Sequence, residues 1–363
     1  MKKMFAGSRS AGVVVLVLAA GSLIAASSKS ATVSLTNSVT AADIAPYIRD
    51  VSVHDPSTLI KCKDEFWLFP TGRGVPSLHS KDLVKWERGP SVFTGSPPPW
   101  VAEAVPANRA LGYWAPDVAY VNGRYLLYYS ASSFGKCVSG IGLVTSPTLD
   151  PNDPAYKWTD QGMVIASKAE DDFNAIDPAI FQDANGSLWL TFGSFWSGIK
   201  MIQLDPKTGK RIAADSPLYS LAHYDSIEAS YLYQHDGYYY LFVNWGMCCR
   251  GVNSSYRIVV GRSKKVTGPY LDLAGRNMLY GGGTSFLDTT RPYVGPGHAG
   301  IIEDNGKFWL SCHYEGIEST NAAAAANTAG PRRNSPLAIM PLRWTADHWP
   351  EVDLKPASQG GLQ

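Results

Sequence analysis

Charge is scarce in this chain: only 17% of its 363 residues are Asp, Glu, Lys or Arg, and the formal net charge is +1. So neutral a protein has no electrostatic reason to seek nucleic acid or anionic lipid. No Gly-rich loop with basic support appears, which argues against a phosphate- or nucleotide-binding role. Cys62, Cys137, Cys248, Cys249 and Cys312 contain no Cys-x-x-Cys pair, so a zinc cluster is not expected. Their odd number leaves at least one thiol unpaired within the chain in an oxidising compartment. For the adjacent Cys248 and Cys249 the simplest reading is a structural bridge or plain packing, because no His is placed by sequence alone to activate them. Helix-period spacing of apolar residues is nearly absent, and no nucleophilic Ser or Cys motif occurs.

Long apolar runs are also missing, with one exception. Val13 to Ala26 follows Lys2, Lys3 and Arg9, is short for a membrane span, and leads into small residues. That is the pattern of a secretory signal peptide, with a retained membrane anchor as the competing reading. Removing residues 1–26 takes away three basic residues and no acidic one, moving the formal charge from +1 to −2. A secreted protein, extracellular or periplasmic, is expected.

What the chain does have is Trp, Tyr and Gly in quantity, and a repeat. Five segments share one plan: a leading polar residue, a short strand, a tight turn and an aromatic-rich strand. They begin His54-Asp55-Pro-Ser, Pro116-Asp117-Val-Ala, Ile176-Asp177-Pro-Ala, Ile227-Glu228-Ala-Ser and Gly297-His298-Ala-Gly. Four carry Asn-Gly or Asp-Gly at the turn, at Asn122-Gly123, Asn185-Gly186, Asp236-Gly237 and Asn305-Gly306. This dipeptide suits a type I′ hairpin, which needs positive φ at both central residues. The first copy has Asp64-Glu65 instead, so its hairpin is expected to be longer. The leading residues 55, 117, 177, 228 and 298 lie 62, 60, 51 and 70 apart, room for four strands per unit. An all-β, five-bladed β-propeller follows. Its expected extent is residues 47–352, after a signal peptide and start of linker (1–31) and a linker (32–46), and before a tail (353–363). The Ala-rich stretch 318–334 reads as a loop inside the last blade.

Innermost strands of a propeller line its axis, so Asp55, Asp117, Asp177, Glu228 and His298, or the inward-pointing subset, should form a ring. Carboxylates converging in one pit repel one another and lose solvation, an arrangement expected to be functional. Acids in a pit with many aromatics suggest glycoside hydrolysis, where one carboxyl is held protonated and another ionised. Asp117 reads instead as structural, bonding backbone amides beneath the pit.

His54-Asp55-Pro-Ser, Tyr113-Trp114-Ala-Pro-Asp117, Asn174-Ala-Ile-Asp177-Pro and Ser226-Ile-Glu228-Ala-Ser-Tyr231 resemble the motifs of glycoside hydrolase family 43. Gly193-Ser-Phe-Trp196, the run from Cys248 to Tyr256 and Gly295-Pro-Gly-His298 are similar to those of its endo-α-1,5-L-arabinanases. The match runs in order from about residue 50 to 350. It implies an inverting mechanism with Asp55 as general base, Glu228 as general acid, and Asp177 tuning and orienting that acid. It also implies a metal ion, most commonly calcium, near His298. By motif position, Trp114 and Phe134 would stack on sugar, Asn174 and Ser194 would bond hydroxyls, and Phe195 would belong to the same substrate-binding rim. The expected partner is arabinan or an arabino-oligosaccharide, bound by a monomer. The rival readings are an exo-acting α-L-arabinofuranosidase or β-xylosidase on the same fold, or a non-catalytic carbohydrate-binding propeller.

Overall fold

The computed structural model describes residues 39–108, 111–318 and 335–354. The expected signal peptide, residues 32–38 of the linker, 319–334 of the Ala-rich stretch and 355–363 of the tail lie outside the described residues. The chain divides into units 1–31 and 32–363, and every described residue belongs to the second.

Five antiparallel sheets follow one another along the chain as the five blades of a propeller. Blade one comprises Ile60–Cys62, Glu65–Leu68, Ser77–Ser80 and Glu87–Gly89; blade two comprises Gly112–Val121, Arg124–Ala131, Ser139–Ser146 and Thr159–Ser167. Blade three comprises Ala179–Gln182, Leu188–Phe192, Ile199–Leu204 and Tyr219–Ala222; blade four comprises Ile227–His235, Tyr238–Trp245, Arg257–Ser263 and Thr284–Leu287. Blade five takes Tyr293–Asp304, Lys307–Ile317 and Pro336–Trp344 from the end of the chain and its outer strand, Ile48–Ser52, from the beginning. Ile48 pairs with Ala338 and Ser52 with Pro336, so the two ends of the domain close the ring in one sheet. Just before that strand, Ile44 is fully buried in the cluster containing Tyr240, Tyr314 and Met340.

The hairpin turns depart from expectation at two places. In blade one Cys62 pairs directly with Glu65, so the turn is only Lys63-Asp64, with Lys63 at φ +56°. Lys63 is also anchored from outside, its ammonium reaching Asp150 at 2.6 Å and Asp153 at 3.0 Å. Blade three has the long turn instead, because Gln182 pairs with Leu188 and Asn185-Gly186 lies inside the loop between them. Only Gly186 has positive φ there, whereas both residues do in Asn122-Gly123, Asp236-Gly237 and Asn305-Gly306. The dipeptide thus marks a turn in each of its four blades and the two-residue form in three.

Core residues fill the wedges between neighbouring blades. Trp67 and Phe69 of blade one pack with Tyr113, Leu127 and Tyr129 of blade two, and Leu126 and Leu143 pack with Leu190 and Ile202 across the next boundary. Burying each such side chain contributes about 1.5–3 kcal/mol.

Candidate active site

At one end of the innermost strands the backbone makes the same excursion in every blade. Asp55, Ala115, Asp177, Ala229 and His298 have φ of +46°, +42°, +57°, +52° and +57°. Residues bearing a β-carbon hold this conformation only where the surroundings enforce it, at about 1–3 kcal/mol each, and such strain gathers at functional sites. In blades two, four and five the excursion coincides with a slip in register, between Trp114 and Asp117, Glu228 and Tyr231, and Gly297 and Gly300. Such bulges re-aim side chains. The equivalent positions are therefore Asp55, Ala115, Asp177, Ala229 and His298, with Glu228 one residue before its blade's position and Asp117 two residues after.

Asp117 consequently holds blades together. Its oxygens accept the backbone N–H groups of Thr58 in blade one and Ile180 in blade three, both at 2.9 Å. Asp117→Ala would strand these two donors away from water, a loss of about 2–5 kcal/mol. Urea unfolding should show it as a lowered midpoint with an unchanged slope.

Asp55 is held from three sides. Thr71 Oγ1 donates to its Oδ2 at 2.7 Å, His298 Nδ1 stands 3.2 Å from Oδ1, and its own backbone N–H donates to His313 Nδ1 at 3.0 Å. Burial works to raise the Asp55 carboxyl, but the charges of His54 and His298 outweigh it and hold the group far below the ordinary carboxylate range. It is an ionised oxygen acceptor over the whole working pH range.

Glu228 is the opposite case. Ser194 Oγ donates to Oε2 at 2.7 Å and Tyr256 OH to Oε1 at 2.8 Å, and only 7% of the residue is exposed. Burial raises its carboxyl, against the two hydroxyl donors, and Asp55 adds to the rise. Asp177 feels the charges of both other acids. Burial first, then the charge of Glu228, pushes its carboxyl well above the usual value, with Asp55 adding and His298 opposing. Its backbone N–H donates to Ser130 Oγ at 3.0 Å, and its Oδ2 accepts the Ala229 N–H at 3.3 Å. Glu228 and Asp177 thus compete for ionisation, and protons reside on this pair at pH values where exposed carboxyls have none.

A carboxyl raised by folding binds its proton more tightly in the folded protein. Its stabilising contribution is complete below the unfolded value near 4 and disappears as pH rises through the folded one. Above that range the forced charge is a liability. Asp177→Asn should therefore raise the melting temperature at neutral pH by about 2–4 °C, roughly 1 kcal/mol, with little change near pH 4. Differential scanning calorimetry at the two pH values reads the difference, and activity should fall in the same variant.

The expected rim residues fall in different places. Trp114 is half-buried on the innermost strand of blade two beside Ala115, and Phe134, 80% exposed, lies in the loop after Arg124–Ala131. Asn174 is buried, its side-chain oxygen accepting Ser139 Oγ at 2.7 Å. Ser194 spends its hydroxyl on Glu228, and Phe195 fixes that loop by donating its N–H to the Ile227 carbonyl at 2.7 Å. Ser194 is thereby a positioning residue for the acid.

Several members of the site are not singled out by the sequence as site residues, although His54 and Tyr256 lie inside motifs. His54 supports its neighbour Asp55, and Thr71, Ser130, Tyr256, His313 and Glu315 support the acids from other strands or loops. His313 and Glu315 leave one trace, two polar residues spaced by two in an otherwise apolar strand and so on one face. Burial lowers the His313 imidazole, which suits a neutral ring that accepts the Asp55 N–H at Nδ1 and faces Glu315 with Nε2, 3.3 Å away. Tyr256 reaches Glu228 across Gly297, where a β-carbon would stand 2.4 Å from the phenol ring.

His298 is the residue expected to be a metal ligand. Its buried Nδ1 faces Asp55 Oδ1 at 3.2 Å without hydrogen-bond geometry, and the charges of Asp55 and Asp177 bear on the ring, conditions that favour positive charge there. Calcium takes six to eight oxygens, and the groupings of described side chains close enough to share an ion do not include His298. Among the described side chains, then, His298 has Asp55 beside it but no set of oxygen donors of the kind calcium takes.

The comparisons with known proteins agree with this geometry. The model of the glycosyl hydrolases family 43 matches residues 47–350. The extracellular endo-alpha-(1->5)-L-arabinanase 1 of Bacillus subtilis is 44% identical over 70% of this chain and 78% of its own. The extracellular exo-alpha-(1->5)-L-arabinofuranosidase ArbA of Cellvibrio japonicus is 38% identical over 86% and 90%. Among solved structures, the Cellvibrio cellulosa alpha-L-arabinanase complexed with arabinohexaose superposes with a TM-score of 0.75 at 38% identity, covering 84% of this chain and 96% of that one. With Asp55, Asp177 and Glu228 acting on one another's charge in a five-bladed propeller and a family match across nearly the whole described domain, the chain belongs to glycosyl hydrolases family 43.

Proposed function

We propose that the protein is a secreted, inverting endo-1,5-α-L-arabinanase. The observation that carries the reading is the contrast between two carboxyls that feel one another, a partly buried Asp55 held ionised by His54, His298 and Thr71 and a buried Glu228 raised. An inverting glycosidase needs this division: an ionised base to take a proton from water and a protonated acid to give one to the leaving oxygen. In the proposed reaction Asp55 draws the proton from a water molecule as that water attacks the anomeric carbon from the side opposite the bond being cleaved. Glu228 delivers its proton to the departing glycosidic oxygen, guided by Ser194 and Tyr256. Asp177, whose own carboxyl is pushed up by burial and by Glu228, shares the proton held by the pair and orients Glu228 by tying its strand through the Ala229 amide. A calcium ion beside His298 would have to take most of its ligands from water, and no step of the proposed reaction runs through it. Trp114 and Phe134 are proposed to stack on sugar rings, with Asn174 bonding a hydroxyl.

Arabinan as substrate is supported by the relatives on both sides of the endo/exo divide, and their extracellular names support secretion. Endo action is favoured by the 44% identity to the Bacillus subtilis endo-arabinanase. The 38% identity to the exo-acting Cellvibrio japonicus enzyme over more of the chain supports the alternative. Product profiling on linear arabinan separates them. A mixture of oligomer sizes at the earliest times, with a fast fall in viscosity, is expected; a single short product from the start would replace endo with exo action.

A further inference from the structure

Three side chains far apart in the sequence meet where blades four, five and one come together. His54 follows Ile48–Ser52, the outer strand of blade five, Cys249 lies in the loop after Tyr238–Trp245 of blade four, and Glu315 belongs to Lys307–Ile317 of blade five. Cys249 Sγ is 3.5 Å from His54 Nε2, and His54 Nδ1 is 3.9 Å from Glu315 Oε1. One donor atom from each residue lies within 4.8 Å of the other two. Glu315 is 3% exposed, and its Oε2 accepts the Cys249 N–H at 2.8 Å, which fixes the cysteine beside the carboxylate at φ +63°. His54 Nδ1 is buried without a hydrogen bond. All five cysteines are free thiols, and Cys248 and Cys249 are the two that are not buried.

We propose that His54, Cys249 and Glu315 form a zinc site, separate from any cation near His298, with water completing the tetrahedron. Zinc binding here is independent of which carboxyl acts as general acid or base.

Thiolate, imidazole and carboxylate are the ligand types zinc takes, at about 2.0–2.3 Å. Bonds of that length in a tetrahedron put neighbouring ligand atoms roughly 3.3–3.8 Å apart, so the three donors need to draw together by about 1 Å. Calcium takes oxygen, and one sulfur with one nitrogen does not suit it. The bond from the Cys249 N–H to Glu315 already holds two of the ligands side by side. Zinc takes the cysteine as thiolate and the histidine as neutral imidazole, and the protons they give up pass to solvent. Burial works to lower the His54 imidazole, but Asp55, Cys249 and Glu315 outweigh it and raise the ring to about 10. Those same negative surroundings draw a divalent cation into the proton's place. A bound ion joins the loop of blade four to a strand of blade five and to the segment entering blade one. The unfolded chain has no such preformed trio, so occupancy stabilises the fold.

The test uses the full protein, with calcium in excess and the thiols kept reduced. Cobalt, a spectroscopic stand-in for zinc, should give a near-ultraviolet thiolate charge-transfer band that saturates at one equivalent and disappears when zinc is added. Zinc at about a hundredfold excess over its Kd should raise the melting temperature by about 5 °C. Cys249→Ser should lose the band and most of the shift, whereas Cys248→Ser should keep both. Glu315→Gln should weaken cobalt binding by about tenfold or more. Reduced wild-type protein that shows no thiolate band would overturn the proposal, whether or not the variants fold. So would a band that depends on Cys248 rather than Cys249. A melting shift that persists in full in Cys249→Ser would place the zinc on the neighbouring trio His54, Asp55 and His313, and overturn the proposal too.

Discussion

Asp55→Ala should cut turnover of arabinan by about a thousandfold or more while leaving the affinity for arabino-oligosaccharides nearly unchanged. The loss should be as large on an aryl arabinofuranoside with a good leaving group, because activation of water is needed whatever departs. The reason lies in the environment of the carboxylate. Two imidazoles and a threonine hydroxyl hold it ionised and aimed, and they stabilise no other group in its place. Steady-state kinetics on both substrates, with calorimetric titration of an oligosaccharide, measures the split. A variant that binds poorly yet turns over bound substrate at the normal rate would show Asp55 to be a binding residue.

Glu228→Gln should reveal the other half of the division. The amide keeps the shape of the side chain and can still meet Ser194 and Tyr256, so folding should survive, but it has no proton to give. On arabinan the expected loss is about a hundredfold to ten-thousandfold. On the activated aryl substrate it should be far smaller, because a good leaving group needs little protonation. The alkaline limb of the pH profile should vanish as well, since the raised carboxyl responsible for it is gone. Equal losses on the two substrates would remove Glu228 from the role of acid. Asp55 and Glu228 thus differ by substrate dependence as well as by size of effect.

Much of this architecture is legible in the linear chain. Five copies of one strand-turn-strand plan can bury their apolar faces only by stacking around an axis, so the propeller follows from spacing and turn chemistry. The three acids stand out because each opens a repeat. The turns are less legible: Lys63-Asp64 makes a two-residue hairpin without glycine because Asp150 and Asp153 grip the lysine from another blade. Nothing local announces that.

The order of the strands and the identity of the acids were determined by the sequence itself, since both are periodic and a period can be read along a line. Tertiary structure alone decided which side chains face one another. A bulge of one residue re-aims everything beyond it, which sent Asp117 to two backbone amides and brought Glu228 to Ser194 and Tyr256. The opposite shifts of the Asp55 and Glu228 carboxyls were decided there too. They depend on burial and on partners contributed by other blades, and no linear pattern encodes that proximity.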